Sequence, residues 1–407
     1  MNKFFHSFSG VYLSIDLCNL CLLIFLILPG ITSLSMTFSS DNIPRDPVYQ
    51  IEHEKQIDIS QAELMLTFLE TITGRQPDTI FLDKIMQAKG TELLIQQMNL
   101  ARRVSHEQYQ TLLSGLYTDS LPLIQPIDST QRAQRGIDGL VNNVWLLLQW
   151  GIQNTPLLWQ KLNELKELDV YDEAQKIARG YLPQDVHITP SIYVVMGGRA
   201  GFAALPDNNL YCDLLVMTFS RIRKGLPHIS RKEITEFFAH EMHHLGLSRI
   251  LGAKKNTLNM NLQEKLIFRF LSSLVSEGSA TYLINGHRDI KGIRNNPSYS
   301  EYFNEINNLL KTCDSILNSI FNDEIKTETE FDQATASLLG HSYHSAGSYM
   351  LSIIDQTSGV ESIMSILDDP RKLLSIYNNS VMQLNNTTNS IYMFNGGLAR
   401  GIRDIGE

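Results

Sequence analysis

Residues 230–245 constrain the fold of this chain more than any other segment, because they predict a helix that is largely buried. Ser230 and Glu233 have the spacing of a capping box, in which the serine accepts a backbone N–H and the glutamate reaches back to the cap. Apolar residues then recur at helical spacing around much of the predicted helix: Ile234, Phe237, Phe238, Met242 and Leu245. Polar side chains on such a helix are costly unless they find partners.

His240, Glu241 and His244 form a His-Glu-x-x-His run inside this helix. Imidazoles four residues apart project from one helix face and can bind one metal ion, and the glutamate is then placed to act on a water there. With histidine at 11 of 407 residues, the run would arise by chance in roughly one or two such chains per hundred. The alternative is a pair of hydrogen-bonded core histidines. The pattern favours one Zn²⁺ per chain. His243 is turned about 100° from His244 and is expected to be a flanking residue or a substrate contact and not a ligand.

A catalytic zinc site needs a third protein ligand and leaves its fourth position to water. The metzincin pattern would require a glycine and a histidine at positions that hold Leu247 and Ile250, so that branch is excluded. Glu277 is the best candidate, because it lies in the middle of an apolar stripe on a second predicted helix: Leu266, Phe270, Leu274, Thr281 and Ile284.

A carboxylate on a buried stripe needs a cation, which zinc would supply. The alternative is a Glu277 paired with a lysine or arginine. Gly278 has no side chain, and we expect it to let the second helix approach the first closely. Other possible ligands are weaker because they lie at or beyond the helix ends: Glu264, His287 and Asp289.

The His-Glu-x-x-His run, followed by Ser-Glu-Gly-Ser-Ala at residues 276–280, resembles the gluzincin branch of zinc metallopeptidases. More narrowly, the chain is similar to zinc-dependent peptidases of bacterial families in which an HExxH helix precedes a Glu-Gly-x-Ala helix. The resemblance covers about residues 185–380 and leaves the substrate open. It implies three zinc ligands and one general base, namely His240, His244 and Glu277, and Glu241.

The segment at residues 341–350 predicts a further helix with small and aromatic residues on one face. Gluzincins commonly stabilise the oxyanion of the reaction with a tyrosine or histidine donor besides the metal. Tyr343 is the first choice for this donor, with His344 and then His341 behind it. The alternative is that the tyrosine and the small residues pack a helix crossing.

Two β-rich runs, residues 188–196 and 210–217, precede the metal helix and are separated by a glycine-rich turn at residues 197–201. In zincin-like folds an edge strand at this place pairs with an extended peptide substrate. The predicted fold class is therefore α+β and mainly helical, with a small sheet that precedes the HExxH helix in a zincin-like catalytic region. The predicted metallopeptidase domain spans residues 185–407. Residues 45–180 are predicted to be helical, as a scaffold or a propeptide.

The first 35 residues predict export. Lys3 precedes an apolar run at residues 11–28, and Pro29-Gly30 and small residues follow, as in a cleaved signal peptide. An uncleaved membrane anchor through residues 11–28 is the alternative. We therefore expect a periplasmic or secreted protein, in which Cys212 and Cys313 could pair. A membrane is a partner only if the segment is uncleaved.

The composition of the chain limits its partners. A formal charge of −9 without a lysine-arginine cluster argues against nucleic acid. The favoured function is a zinc-dependent peptidase that acts on a peptide or protein, with Glu241 as general base. The alternatives are a zinc hydrolase of a non-peptide substrate and a non-catalytic secreted binding or interaction protein whose zinc is structural or absent. Closed four-ligand coordination would favour the second alternative.

Overall fold

A computed structural model describes most of the chain from residue 57 onward, so the predicted signal peptide or anchor lies outside the described residues. The described ranges are 57–72, 79–102, 104–118, 137–198, 200–205, 207–226, 228–336, 338, 341–385 and 391–406. The helices before the last three strands are α1 (Ser60–Thr71), α2 (Thr79–Gln87), α3 (Lys89–Arg102), α4 (His106–Gly115), α5 (Ile137–Gln153), α6 (Thr155–Glu167) and α7 (Tyr171–Arg179).

The four strands are short, and helices make up most of the chain after the sheet. The strands are β1 (Ile57–Asp58), β2 (Ser191–Val195), β3 (Phe202–Leu205) and β4 (Asn209–Asp213). The helices after the sheet are α8 (Leu214–Arg223), α9 (Arg231–Thr257), α10 (Leu262–Ser279), α11 (Ile290–Asn295), α12 (Pro297–Asn304), α13 (Ile306–Phe321), α14 (Glu328–Thr335), α15 (Ser342–Ser358), α16 (Val360–Asp368), α17 (Leu373–Asn385) and α18 (Gly396–Arg403). The predicted class, α+β and mainly helical, is confirmed.

The sheet has the strand order β1-β2-β4-β3. The first three strands in that order run parallel, and β3 lies antiparallel to β4 at the edge, with Ala203 opposite Tyr211. The sequence prediction did not contain β3, because four residues that are mostly half-buried give too little alternation to identify a strand. The predicted run at residues 210–217 ends as a strand at Asp213, whose side chain accepts the Val216 N–H and begins α8.

Helix α9 carries the His-Glu-x-x-His run and begins where the sequence predicts. The Ser230 side chain accepts the Glu233 N–H at 3.5 Å, but the second half of the predicted capping box is replaced by another contact. The Glu233 carboxylate pairs with Arg221 of α8. The start of α9 is therefore tied to the helix that leaves the sheet, which fixes α9 beside β4 and β3.

Helix α10 packs on α15 through a contact between two glycines. A Cβ built on Gly278 would lie 2.4 Å from the Gly347 carbonyl carbon, and a Cβ on Gly347 would lie 2.1 Å from the Leu274 oxygen. The two backbones therefore touch, which only glycine allows. We expected Gly278 to bring α10 against α9, and that partner is wrong: the close approach is to α15, the helix that carries His344.

A π-helical turn at Ala280–Asn285 follows α10 directly. Its geometry is visible in the Gly286 N–H, which donates to the Thr281 carbonyl five residues earlier at 2.9 Å. The next two residues have positive φ, +46° at His287 and +66° at Arg288. Such strained positions persist where surrounding contacts hold them. Here Arg288 pairs with Asp355 of α15 through two bonds of 2.7 Å.

One hydrophobic core runs from α1 through α18, so it includes residues of both the predicted N-terminal region and the predicted catalytic region. Cys212 and Cys313 are both buried and free, and do not form the disulfide that the sequence left open. Within the described part of the chain, no helix combines the length and the apolar character that a bilayer crossing requires.

Candidate metal centre

Four side chains from three helices converge on one point. His240 and His244 come from α9, Glu277 from the last turn of α10, and His344 from the first turn of α15. The His240 and His244 Nε2 atoms lie 3.0 Å apart. Glu277 Oε2 lies 3.5 Å from His244 Nε2 and 3.3 Å from His344 Nε2. The sequence-predicted ligands are thus brought together, and His344 joins them.

These separations fit the ligands of a single zinc ion. Nitrogen and oxygen ligands about 2.1 Å from one ion, at tetrahedral angles, lie roughly 3.4 Å from one another. The measured separations between neighbouring donors are 3.0, 3.3 and 3.5 Å. His240, Glu277 and His344 each offer a donor atom within 4.8 Å of the other two. His244 is outside this set of three, but its Nε2 lies 3.0 Å from His240 Nε2 and 3.5 Å from Glu277 Oε2. The residues present therefore fit the ion that the sequence motif implies.

The second ring nitrogen of each histidine is held by a side-chain oxygen. His240 Nδ1 lies 2.5 Å from Asn285 Oδ1, His244 Nδ1 lies 2.8 Å from Ser276 Oγ, and His344 Nδ1 lies 2.9 Å from Thr281 Oγ1. Because an amide oxygen only accepts, Asn285 requires a proton on His240 Nδ1 and leaves Nε2 as a lone-pair donor. Such partners orient metal-binding imidazoles and select their tautomer.

The π-helical turn supplies two of these three oxygens. Thr281 and Asn285 lie at its two ends and face different histidines. Thr281 lies on the same predicted apolar stripe as Glu277, four residues later, so a polar residue on a buried stripe was the available sequence signal. Asn285 had no such signal, because a regular α-helix would orient it differently from a π-turn.

The electrostatics of the four groups are strongly coupled. Burial by itself would raise the pKa of Glu277, but His344 and His244 offset this and hold that pKa well below its usual range. Burial lowers the pKa of His240, and the neighbouring His244 and His344 lower it further. An ionised Glu277 and a neutral His240 are in the protonation states that a metal ligand needs. Burial would lower the pKa of His244, but Glu277 raises it to about 9, so zinc binding at His244 has to displace a proton.

Glu241 lies beside the cluster and contacts the sheet. Its Oε2 accepts the backbone N–H of Ala204 in β3 at 2.7 Å. Burial raises the pKa of Glu241 to about 7, and this is partly offset by His244 and by the Ala204 N–H. A dication at the adjacent histidines would act in the opposite direction. A carboxylate with a pKa near neutrality can both accept and release a proton.

The remaining sequence candidates lie elsewhere. His243 is fully buried and its Nε2 is 2.8 Å from Ser279 Oγ, as expected for a flanking residue. The three weaker ligand candidates are each engaged outside the cluster: Glu264 in the cap of α10, His287 with Glu236, and Asp289 in the cap of α11.

Tyr343, the first choice for the oxyanion donor, faces the core and not the cluster. It is 1% exposed, its ring packs edge-on against Phe270 at 5.7 Å, and burial raises its pKa. The tyrosine near the metal centre is Tyr299 of α12, whose ring centroid is 6.1 Å from that of His344 and whose hydroxyl is bonded to Thr281. Burial raises the pKa of Tyr299 to about 12. The sequence carried no signal for Tyr299, because only tertiary packing brings α12 over the site.

His341, the third candidate for this donor, lies next to the cluster and beside Tyr299. Its ring centroid lies 4.8 Å from that of Tyr299 and 5.2 Å from that of His344. Burial lowers the pKa of His341 to about 3, so this imidazole is neutral at ordinary pH. Of the three residues proposed in this segment, His344 alone supplies an atom to the cluster.

Three imidazole nitrogens, each from a ring whose other nitrogen is held by a side-chain oxygen, and one carboxylate oxygen define a protein with the donor set of a zinc centre. Residues 83–386, about three quarters of the chain, match the family described as "Putative zinc dependent peptidase (DUF5700)", and the chain belongs to this family. The match confirms the predicted resemblance to zinc-dependent peptidases. Comparisons with curated proteins and with solved structures gave no match.

Proposed function

We propose that this protein is a zinc peptidase in which His240, His244 and Glu277 hold the ion and Glu241 is the general base. The observation that carries the proposal is the convergence of these donors, at separations of 3.0 to 3.5 Å, with the Glu241 carboxylate beside them. A zinc ion held there supplies Lewis acidity toward a peptide carbonyl and toward the attacking water.

Glu241 performs the proton transfers. Its free oxygen accepts a proton from the attacking water and returns that proton to the leaving amine nitrogen. The Ala204 N–H holds the other oxygen, at 2.7 Å, and so fixes the carboxylate relative to β3. Burial favours the protonated form of Glu241 and a dication at the adjacent histidines would favour the ionised form, so these two effects oppose each other at the base.

The substrate is a peptide in extended conformation along β3. This strand is the edge of the sheet, and its outer side meets Glu241. Main-chain hydrogen bonds to such an edge provide affinity without demanding a particular sequence. They also place the peptide backbone, and not a side chain, next to the base.

The role of His344 distinguishes a catalytic zinc site from a structural one. Its Nε2 is 3.3 Å from Glu277 Oε2, which is close enough to occupy the fourth position of the ion or to donate to a developing oxyanion. With a fourth protein ligand the site would be closed, as in structural zinc sites. We favour the donor role. In His344→Ala, zinc content should persist while kcat falls; loss of the bound zinc would favour the structural site instead.

The general base is tested by Glu241→Gln. Zinc content, measured on purified protein, should be unchanged, while hydrolysis should fall by about two to four orders of magnitude. Glu236→Gln is the matched control, because Glu236 lies on the same helix and contacts His287 outside the cluster. Activity that is unchanged in Glu241→Gln, or lost equally in the control, would contradict the assignment.

The scissile bond itself requires a separate measurement. A zinc hydrolase of a non-peptide substrate would use the same metal centre, because the metal does not determine the bond. We expect a peptide library to be cleaved, the cleavage to stop with a chelator and to resume with added zinc. A library left intact, together with chelator-sensitive hydrolysis of ester or amide substrates without a peptide backbone, would favour the alternative.

A further inference from the structure

A pair of stacked phenylalanines lies at the edge of the sheet next to the metal centre. The Phe202 ring of β3 and the Phe237 ring of α9 have centroids 4.5 Å apart and planes 18° from parallel. Phe238 packs edge-on against Phe202, at 5.9 Å. Phe237 is 41% exposed and precedes His240 by one helical turn. Aromatic surface is therefore open to solvent beside the candidate base.

The orientation of β3 determines what a chain at this edge would contact. Gly201 accepts the Asp213 N–H at 2.8 Å, so residues 201 and 203 direct their backbone groups toward β4. Residues 202 and 204 direct theirs outward, as the bond from the Ala204 N–H to Glu241 demonstrates. The side chains of Phe202 and Ala204 also share one face of the strand, the face that packs on α9.

An extended peptide paired with this edge would therefore meet the aromatic pair at a defined position. Cross-strand neighbours have Cβ atoms about 5 Å apart and on the same face. The Ala204 N–H is already donated to Glu241, so the peptide would pair with the other outward backbone groups of Phe202 and Ala204, and its residue opposite Ala204 would lie beside Glu241. The residue opposite Phe202, two positions along, would place its side chain against the Phe202 and Phe237 rings.

We propose that Phe202 and Phe237 form a subsite for an aromatic or large aliphatic side chain of the substrate, at a fixed distance from the cleaved bond. This inference rests on the proposed peptidase function and names its substrate class. A ring that joins a stacked pair gains contact area and aromatic attraction, which we expect to raise kcat/KM by about tenfold over alanine at that position.

The test uses the zinc-loaded full chain and a set of peptides in which one Phe is moved along an otherwise constant alanine-rich background. Cleavage should follow the Phe, so that the cut bond stays at a constant distance from it. In Phe237→Ala the ratio of kcat/KM between the Phe peptide and its Ala counterpart should fall from about ten to about one. Phe237→Leu should restore part of the ratio, because it returns apolar area.

Phe321→Ala is the matched control. Phe321 is also exposed, by 45%, and lies on α13 against Gly401, so its removal should leave the ratio and the activity unchanged. A cut position that ignores the Phe, or a ratio equally high in Phe237→Ala, would overturn the inference.

A binding measurement keeps this inference separate from the peptidase proposal. In the Glu241→Gln background, fluorescence anisotropy of the labelled Phe peptide should reveal about tenfold weaker binding when Phe237→Ala is added. If no peptide is cleaved by the zinc-loaded protein and this difference remains, the peptidase proposal fails and the subsite stands. Equal binding with and without Phe237 would remove the subsite.

Discussion

Replacing Gly278 with alanine tests the contact that brings Glu277 and His344 together. The new Cβ would lie 2.4 and 2.5 Å from the carbonyl carbon and Cα of Gly347, and 2.9 Å from the Ser348 nitrogen. Ordinary contacts begin at 3.4 Å, so α10 and α15 must separate by about 1 Å. The neighbouring atoms are backbone, and no side chain can turn aside to relieve the overlap.

The expected loss of stability follows from two opposing terms. Overpacking of a rigid contact costs about 3 kcal/mol, and the better helix propensity of alanine returns about 1 kcal/mol. The free energy of unfolding should therefore fall by about 2 kcal/mol, which for a chain of this length lowers the midpoint of thermal unfolding by roughly 2–3 °C. Gly252→Ala in α9 is the control, because nothing lies within 4 Å of its added Cβ; it should be neutral or slightly stabilising.

The same substitution should also disturb the metal centre. A separation of about 1 Å would move His344 Nε2 from 3.3 Å to more than 4 Å from Glu277 Oε2, beyond the roughly 3.4 Å between neighbouring tetrahedral ligands. Calorimetric unfolding and a zinc titration on Gly278→Ala and Gly252→Ala provide the assay. If Gly278→Ala unfolds at the parent temperature and binds zinc as tightly as the control, the argument from backbone contact is refuted.

Three further predictions concern the surroundings of the site and a distant anchor. Thr281→Val, which removes the hydroxyl bonded to His344 Nδ1, should lower zinc affinity or kcat by about 10- to 100-fold, and Thr281→Ser should restore it; equal values in all three proteins would contradict this. A chelator should lower the unfolding temperature, and zinc at 100 times its Kd should restore about 2.7 kcal/mol of stability; an unfolding curve indifferent to zinc would count against a folded-state site. Burial would raise the pKa of Asp369, but Arg371 outweighs it and holds that pKa below its usual value, so this pair contributes stability above the unfolded pKa of about 4 and loses it as pH falls through the folded pKa. Asp369→Asn should therefore destabilise by up to about 3 kcal/mol at pH 6, and the difference should shrink below pH 4; a difference independent of pH would refute the assignment.

Local sequence patterns predicted helix α9, which carries the His-Glu-x-x-His run. A serine cap, helical spacing of apolar residues and two histidines four apart are short-range features, so they can be read without knowing the rest of the fold. The same holds for Glu277, because a lone carboxylate on an apolar stripe is visible in one segment. These features also sufficed for the resemblance to zinc-dependent peptidases, which the family match confirms.

Long-range packing decided which residue of the segment at 341–350 faces the cluster, a question that local sequence patterns left open. Three residues of one segment were candidates for a catalytic donor, and the approach of α15 to α10 turns His344 toward Glu277 and Tyr343 toward Phe270. Residues three or four apart share a helix face, but adjacent residues do not. The rotational orientation of α15 about its axis therefore decides which of the neighbours Tyr343 and His344 faces Glu277. The contact between Gly278 of α10 and Gly347 of α15 sets this orientation. The two glycines are far apart in the sequence, so no single segment predicts the contact.

The amino-acid sequence alone determined that α9 forms, that His240 and His244 share one of its faces, and that Glu277 lies on the apolar stripe of another helix. Each of these features depends only on residues a few positions apart in the chain. The tertiary structure alone decided that β3 is a strand whose edge meets Glu241, that a π-turn aims Asn285 at His240, and that Tyr299 lies over the site. These depend on backbone groups and side chains that are distant in the chain. Their energies exist only once the helices and the sheet have packed.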